Sequence, residues 1–231
     1  KTTTTTLVGK MMEASGCKTW VGGNIGNPLV DEIDRIAPAD CVVMELSSFQ
    51  LDLMTCSPEI AGVLNITPNH LDRHGTMEAY VAAKRHIVAH QAPEDVAILG
   101  YDEPNARGLA EATPAEVRYF SGENVVDAGA FLEGDSLVLS RDGRHMEICT
   151  REEICLRGYH NVLNVLAAAA LADAGGASLE GIRAAIRAFT GVVHRLEPVR
   201  TWHGVLWVND SIATAPERVL AALDSYEGPL V

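Results

Sequence analysis

Leu7, Val8, Met11 and Met12 recur at helical spacing, so the threonine-rich start of the chain is predicted to be helical despite its poor intrinsic propensity. Strands and helices then alternate. Residues 18–21 form a short strand pattern and 27–36 an amphipathic helix pattern. Residues 41–46 (CVVMEL) and 60–66 (IAGVLNI) are apolar, β-branched runs, the pattern of strands buried on both faces of a parallel sheet. Residues 76–91 predict a helix, entered through a turn at Gly75 with Thr76 as its N-cap. Further strands are expected at 96–99 and 117–120, with a helical stretch at 105–112 between them.

The style changes at residues 130–149. Short alternating runs are broken at Glu133-Gly134-Asp135 and Arg141-Asp142-Gly143, and the Asp-Gly pair signals a hairpin turn. This predicts a small antiparallel unit attached to the α/β core. Helices follow at 160–174 and 179–189, separated by Gly175-Gly176, and the alanine-rich stretch from Val162 to Ala172 marks the first as buried. After Gly191 the pattern restarts with a strand, a turn at His203-Gly204, a second strand (VLWVND) and a helix at 216–226. A domain boundary is expected between Thr190 and Val192. Gly228-Pro229-Leu230-Val231 has the pattern of a turn entering another strand.

The 231 residues are 47% apolar and 21% charged, with a mean hydropathy of +0.07. These are globular values, enough for one large core or a core plus part of a second domain. A formal net charge of −13 argues against a protein that grips a nucleic-acid backbone. It leaves room for phosphate binding by a local loop, a helix N-terminus and a metal ion. Five cysteines, an odd number with no C-x-x-C pair, argue against a disulfide framework or a zinc knuckle, and Cys41 in its apolar run is expected to be a small buried hydrophobe. No signal peptide is visible, and no apolar run approaches the ~18–20 residues that span a bilayer. Reducing cytoplasm is the expected compartment. Both ends look cut, Lys1 opening with a motif already under way, so the chain is expected to be a fragment of a longer protein.

Candidate chemistry follows the predicted strand ends and helix starts. Lys1-Thr2-Thr3 heads a helix like the last part of a phosphate-binding G-x-x-x-x-G-K-S/T loop, or simply as a polar helix start. Glu45 leaves the C-terminal end of a parallel strand, where α/β proteins place ligand chemistry and an acid can bind magnesium. His70 follows the next strand in NITPNHLDRHG; magnesium prefers oxygen, so an ordinary loop histidine competes with a ligand there. Lys84 lies in a helix, where a solvated lysine is the ordinary reading. One continuous helix would hold His70 and Lys84 ~21 Å apart, whereas a turn at Gly75 lets them converge. Asn161 and Asn164 share a helix face and fit either an adenine edge or N-terminal capping. Arg195 could clamp phosphate and Asp210 could accept from a ribose, or both could be surface charges of a hairpin.

Taken together and in order, K-T-T-T, G-G-N-I-G, E-L-S-S-F-Q-L, N-I-T-P-N-H-L-D-R-H, A-A-K, G-Y-H-N-V-L-N, H-R-L-E and N-D-S-x-A-T resemble the motifs of Mur ligases, from Lys1 to Thr214. Residues 22–26 with 45–51 most resemble the branch that adds D-glutamate. The resemblance implies a P-loop-type, mostly parallel sheet flanked by helices. Residues 1–190 would be a central ATP-binding domain lacking the glycine half of its P-loop. Residues 191–231 would be the truncated start of a Rossmann-like C-terminal domain. It implies that Lys1, Thr2 and Thr3 hold ATP, that Thr2 and Glu45 bind one magnesium, and that His70 binds a second. Lys84 would carry a CO2-derived carbamate at that metal cluster, and Lys1, His70 and Lys84 would be the catalytic set. Asn24 and Ser47 would approach the muramoyl substrate, Asn161 and Asn164 would face adenine, and Arg195 and Asp210 would close over the nucleotide.

The implied reaction is ADP-forming. UDP-N-acetylmuramoyl-L-alanine is activated as an acyl phosphate and joined to D-glutamate, with no nucleic-acid or membrane partner and a monomer as the simplest state. Where the family pattern has lysine in N-D-S-K-A-T, this chain has Ile212. The chain as given is expected to be inactive alone. A ligase for another amino acid, a folylpolyglutamate synthetase, a regulatory P-loop ATPase and a non-catalytic ATP-binding module remain alternatives, the last because of Ile212.

Overall fold

The computed structural model describes residues 1–26, 28–214 and 216–229. Helix α1 (Thr2–Ala14) buries Leu7, Val8, Met11 and Met12, as their spacing predicts. Burial of each such side chain is worth about 1.5–3 kcal/mol, which overrides the weak propensity of the threonine run. The helix packs against β1 (Thr19–Gly23), which pairs in parallel with β2 (Cys41–Glu45). A short helix α2 (Ser48–Leu51) follows β2.

Six strands form the main sheet in sequence order: β3 (Ile60–Val63), β4 (Val96–Gly100), β5 (Glu116–Ser121), β6 (Gly129–Glu133), β7 (Ser136–Arg141) and β8 (Arg144–Thr150). The first four are parallel and the last two turn back as hairpins. The antiparallel unit is attached to the α/β core, as expected, by strand pairing: β6 pairs with β5 and continues the same sheet. Between β3 and β4 lie α3 (Leu71–His74) and α4 (Met77–Arg85), the latter capped by Thr76 as expected, and α5 (Pro104–Gly108) follows β4. The long α6 (Tyr159–Ala174) crosses the sheet with Ala167, Ala168 and Ala169 fully buried, the small side chains that close helix–sheet packing requires. Next, α7 (Leu179–Ala188) packs on α1. Beyond it come the hairpin β9 (Glu197–Trp202) and β10 (Val205–Asn209) and the helix α8 (Pro216–Leu223).

Two of the expected elements need correction, and a third lies outside the described residues. The helix expected at 27–36 begins on Asn27, outside the described residues, and Leu29–Arg35 is a 3-10 helix with no buried residue. Its apolar side chains face outward, Val30 at 69% and Ile33 at 64% exposure, because no described element packs on that side. The β2 run is covered on one face only: Cys41 and Val43 pack on the core, while Val42 and Met44 stand 43% and 49% exposed. Cys41 is accordingly half-buried, and all five cysteines are free. The expected strand after Gly228 falls on Leu230 and Val231, outside the described residues. Among the described residues no helix is long and apolar enough to cross a membrane.

Candidate active site

Parallel strands all end on one side of their sheet, and β2, β3 and β4 end beside the N-termini of α1 and α6. A cleft of about 810 Å³ opens there. It is lined by every site residue expected from the sequence: Lys1, Thr2, Thr3, Asn24, Glu45, Ser47, His70, Lys84, Asn161, Asn164, Arg195 and Asp210.

Glu45 is the electrostatic centre. Its side chain is only 5% exposed, and a buried carboxylate must be neutralised and hydrogen-bonded. The Lys1 ammonium lies 3.4 Å from Oε1 and donates to the carbonyl of Leu46 at 2.9 Å. The Thr2 hydroxyl donates to Oε2 at 2.7 Å and Asn24 Nδ2 donates to Oε1 at 3.2 Å. The same backbone corner is tied by Asn24 N–H donating to the carbonyl of Glu45 at 2.8 Å. That approach requires Gly23: its φ is +92°, and a Cβ there would collide with the Glu45 carbonyl oxygen.

Thr2 also joins the two ends of the chain, because Arg195 Nη2 donates to its hydroxyl at 3.0 Å. Asp210 accepts from the backbone N–H of Leu196 at 3.1 Å, fixing the segment that presents Arg195. Ser47 caps α2 in a reciprocal box with Gln50, so its hydroxyl is engaged in holding the cleft wall. Asn161 and Asn164 share a face as expected and also bond each other, Asn164 Nδ2 donating to Asn161 Oδ1 at 3.0 Å. Thr4 donates to Asn164 Oδ1 at 3.1 Å, and Asn161 Nδ2 donates to the carbonyl of Arg157 at 2.7 Å. The pair thus locks α1 to α6 while lining the cleft. Thr4, hidden within a threonine run, carried no sequence signal for this role.

His70 sits in a left-handed conformation (φ 55°) at the start of α3, and Gly75 and Thr76 turn the chain back into α4. His70 and Lys84 therefore line one cleft, as a turn between them predicts. The loop leading to His70 is held by Glu103, whose carboxylate accepts from the backbone N–H of Ile66 at 2.9 Å and of Ala106 at 2.8 Å. In the sequence Glu103 is marked only as an acidic residue directly before the Pro that opens a helix. Lys84 is not a solvated lysine. Its side chain is 8% exposed, and burial lowers its pKa to about 8, with the nearby Lys1 ammonium pushing the same way and Glu45 opposing. His160, the histidine of the G-Y-H-N-V-L-N motif, also lines the cleft; burial lowers its pKa while Asp210 opposes the shift. Ile212 lines the cleft as well.

Residues 1–172 match the family described as the Mur ligase middle domain. The UDP-N-acetylmuramoylalanine--D-glutamate ligase of Symbiobacterium thermophilum is 47% identical over 100% of this chain and 51% of its own length. The protein of the same name from Acetivibrio thermocellus is 46% identical over 100% of this chain and 49% of its own. The chain thus spans about half the length of these curated relatives. Among solved structures, MurF from Acinetobacter baumannii superposes with a TM-score of 0.76 at 23% identity, over 97% of this chain and 52% of that one. A MurF ligase from Thermotoga maritima in complex with ADP gives 0.70 at 18% identity, over 97% and 55%. These two likenesses bear on the fold alone.

Proposed function

The chain belongs to the Mur ligase family, and from that premise we propose that it forms the ATP-handling part of a cytoplasmic ligase joining D-glutamate to UDP-N-acetylmuramoyl-L-alanine in peptidoglycan precursor synthesis. In this reading residues 1–190 are the central ATP-binding domain and 191–231 the start of the C-terminal one. The observation that carries the proposal is the convergence of Lys1, Thr2, Glu45, His70 and Lys84 on one cleft. The names of the curated relatives carry the choice of D-glutamate.

A carboxylate is a poor electrophile, so amide formation needs it activated as an acyl phosphate. The γ-phosphoryl group of ATP passes to the terminal carboxylate of the nucleotide-sugar. That transfer releases ADP; the amine of D-glutamate then attacks the acyl carbon, and the tetrahedral intermediate loses a proton from nitrogen and expels phosphate to leave the amide. Lys1, at the head of α1 and lining the cleft beside Glu45, would hold phosphate oxygens and offset the charge that builds during transfer. Asn161 and Asn164 would face adenine with the amide donors their mutual bonds leave over. Arg195 and Asp210 would close over the nucleotide and help exclude water, which would hydrolyse the acyl phosphate. Asn24 and Ser47 would approach the muramoyl substrate.

The residues present fit magnesium. Glu45 and Thr2 offer adjacent oxygen donors suited to a hard cation, at a spot already matched by the positive charge of Lys1. His70 and a carbamate on Lys84 would hold a second ion. When bound, magnesium supplies positive charge against the transferring phosphoryl group. A buried amine with a lowered pKa is unprotonated more often, and only that form reacts with CO2. The nitrogen lone pair forms the N–C bond, one C=O pair moves onto oxygen, and an N–H proton leaves to water.

Ile212 on the cleft wall favours one second reading, a module that binds ATP without ligating. Phosphate release by the full-length protein separates the two. It would be measured with Mg-ATP and UDP-N-acetylmuramoyl-L-alanine, with D-glutamate, L-lysine or no amino acid in parallel. Release requiring both the nucleotide-sugar and D-glutamate is expected. No release with any amino acid would replace the ligase with the binding module, and Ile212→Lys would be the first variant to try for recovery.

A further inference from the structure

Lys84 meets the cleft from an unusual setting. Among the described residues no carboxylate or carbonyl accepts a hydrogen bond from its amine. What meets the amine is the ring of Tyr80, one turn earlier on α4, with Nζ 5.0 Å from the ring centroid. Residues four apart share a helix face, so this contact is built into the helix. The Tyr80 ring is itself held from outside α4. His74 lies 5.1 Å from it at 45°, Phe49 stacks on His74 at 5.1 Å and 3°, and the Ser48 hydroxyl bonds His74 Nε2 at 2.9 Å. Phe49 also sets its ring against His70 at 5.4 Å and 61°. Three rings from α2, α3 and α4 therefore run as one stack from the cleft wall next to Ser47 to the amine of Lys84.

We propose that Tyr80 and His74 are positioning residues for Lys84, the Phe49–His74–Tyr80 stack aiming its amine into the cleft without engaging it in an ion pair. A lysine has four rotatable bonds and a strongly hydrated head, so burying it in one orientation needs a partner. A carboxylate in hydrogen-bond contact would hold the amine as a salt bridge and occupy the face that must carry a new bond. An aromatic face orients the same head electrostatically from one side only and leaves the other side to the cleft. Because the stack is fastened through Ser48, the aim of Lys84 is linked to the α2 wall on which the nucleotide-sugar is proposed to sit. This inference rests on the carbamate reading above for its chemistry and on the ring geometry for its positioning.

The test uses the full-length protein in 13C-bicarbonate at one fixed pH, with the 13C NMR signal of a carbamate read per molecule and Lys84→Ala as the control that assigns it. Tyr80→Phe keeps the ring face and is expected to keep the signal and kcat. Tyr80→Leu keeps apolar bulk without the ring, returns rotamer freedom to Lys84 and is expected to lose about fivefold in carbamate occupancy, with kcat falling by the same factor, KM for ATP unchanged and extra bicarbonate restoring part of both. His74→Gln, at a less buried site, tests the stack independently should Tyr80→Leu fail to fold, with a smaller loss in the same direction. Full carbamate signal and full kcat in soluble, folded Tyr80→Leu or His74→Gln would overturn the proposal. If the wild type gives no signal that Lys84→Ala removes, the carbamate reading fails instead, and reductive methylation with 13C-formaldehyde becomes the reporter. A Lys84 resonance changed by Tyr80→Leu and spared by Tyr80→Phe then upholds the positioning, and one unchanged in both ends it.

Discussion

At the scale of single residues, Lys84 shows how function is bought with stability. The motif A-A-K gave no sign that this lysine is buried; only the turn that folds α4 back over the cleft makes it so. Burial disfavours the charged form, which is why its pKa falls to about 8 from 10.5. Between those two values the unfolded chain binds more protons at Lys84 than the folded one, so stability rises with pH across that window. Below about pH 8 the full cost of the burial is present, on the order of 3 kcal/mol by linkage and less where solvent screens it. Lys84→Met is therefore expected to abolish ligation under assay conditions with magnesium and bicarbonate and, in metal-free and CO2-free buffer, to raise stability at pH 7 by about 1–3 kcal/mol. The gain should shrink to nothing by about pH 10.5. Urea melts of both proteins at pH 7, 9 and 10.5 measure it, and a gain independent of pH would mean that packing rather than charge is responsible.

At the scale of elements, what the sequence conveys depends on how local the cause is. The buried alanine helix, the two hairpin turns, the Thr76 cap and the α1 stripe all arise from residues within a few positions of one another, and each is visible in the chain. The bare face of β2 and the outward apolar side chains of Leu29–Arg35 are not, because exposure is decided by what packs there and not by the run itself. The joining of β6 to β5 is likewise a pairing across the chain that alternation cannot announce. The site follows the same division. Its charged residues were legible by type and by position after strands and before helices, whereas Glu103 and Thr4, which hold them, act through contacts with distant backbone and side chains. Glu103 accepts from three backbone N–H groups, those of Ile66, Asn105 and Ala106. Glu103→Ala removes a helix cap and leaves the Ile66 amide unpaired. It is expected to cost about 2–3 kcal/mol of stability. It should also lower kcat more than KM for ATP, because the loop it releases carries His70. A loss of stability with kcat intact in steady-state assays would show that the loop keeps His70 in place without it.

At the scale of the whole molecule, the cleft is closed by two parts of the chain that meet at one hydroxyl. Thr2 donates to Glu45 and accepts from Arg195, so the start of α1 and the segment after residue 191 share a single polar relay. Farther along, the Arg157 guanidinium lies 5.2 Å from the Tyr226 ring centroid, and Gly158 with φ +86° leaves room for the Ser225 hydroxyl that any Cβ would strike. The relay has a consequence for binding. A nucleotide phosphate entering beside Thr2 would find Arg195 already aimed at that spot, its bond to the Thr2 hydroxyl exchangeable for a charge-assisted one. Arg195→Ala removes the exchange. Loss of one hydrogen bond to a charged partner is worth about 1.5–3 kcal/mol, so ATP affinity of the full-length protein should fall about 10- to 150-fold, read by calorimetric titration with Mg-ATP. Arg195→Lys should recover only part of it, because an ammonium cannot reproduce the planar fork. Unchanged affinity in Arg195→Ala would confine nucleotide recognition to the first 190 residues and leave the second segment with the role of a cover.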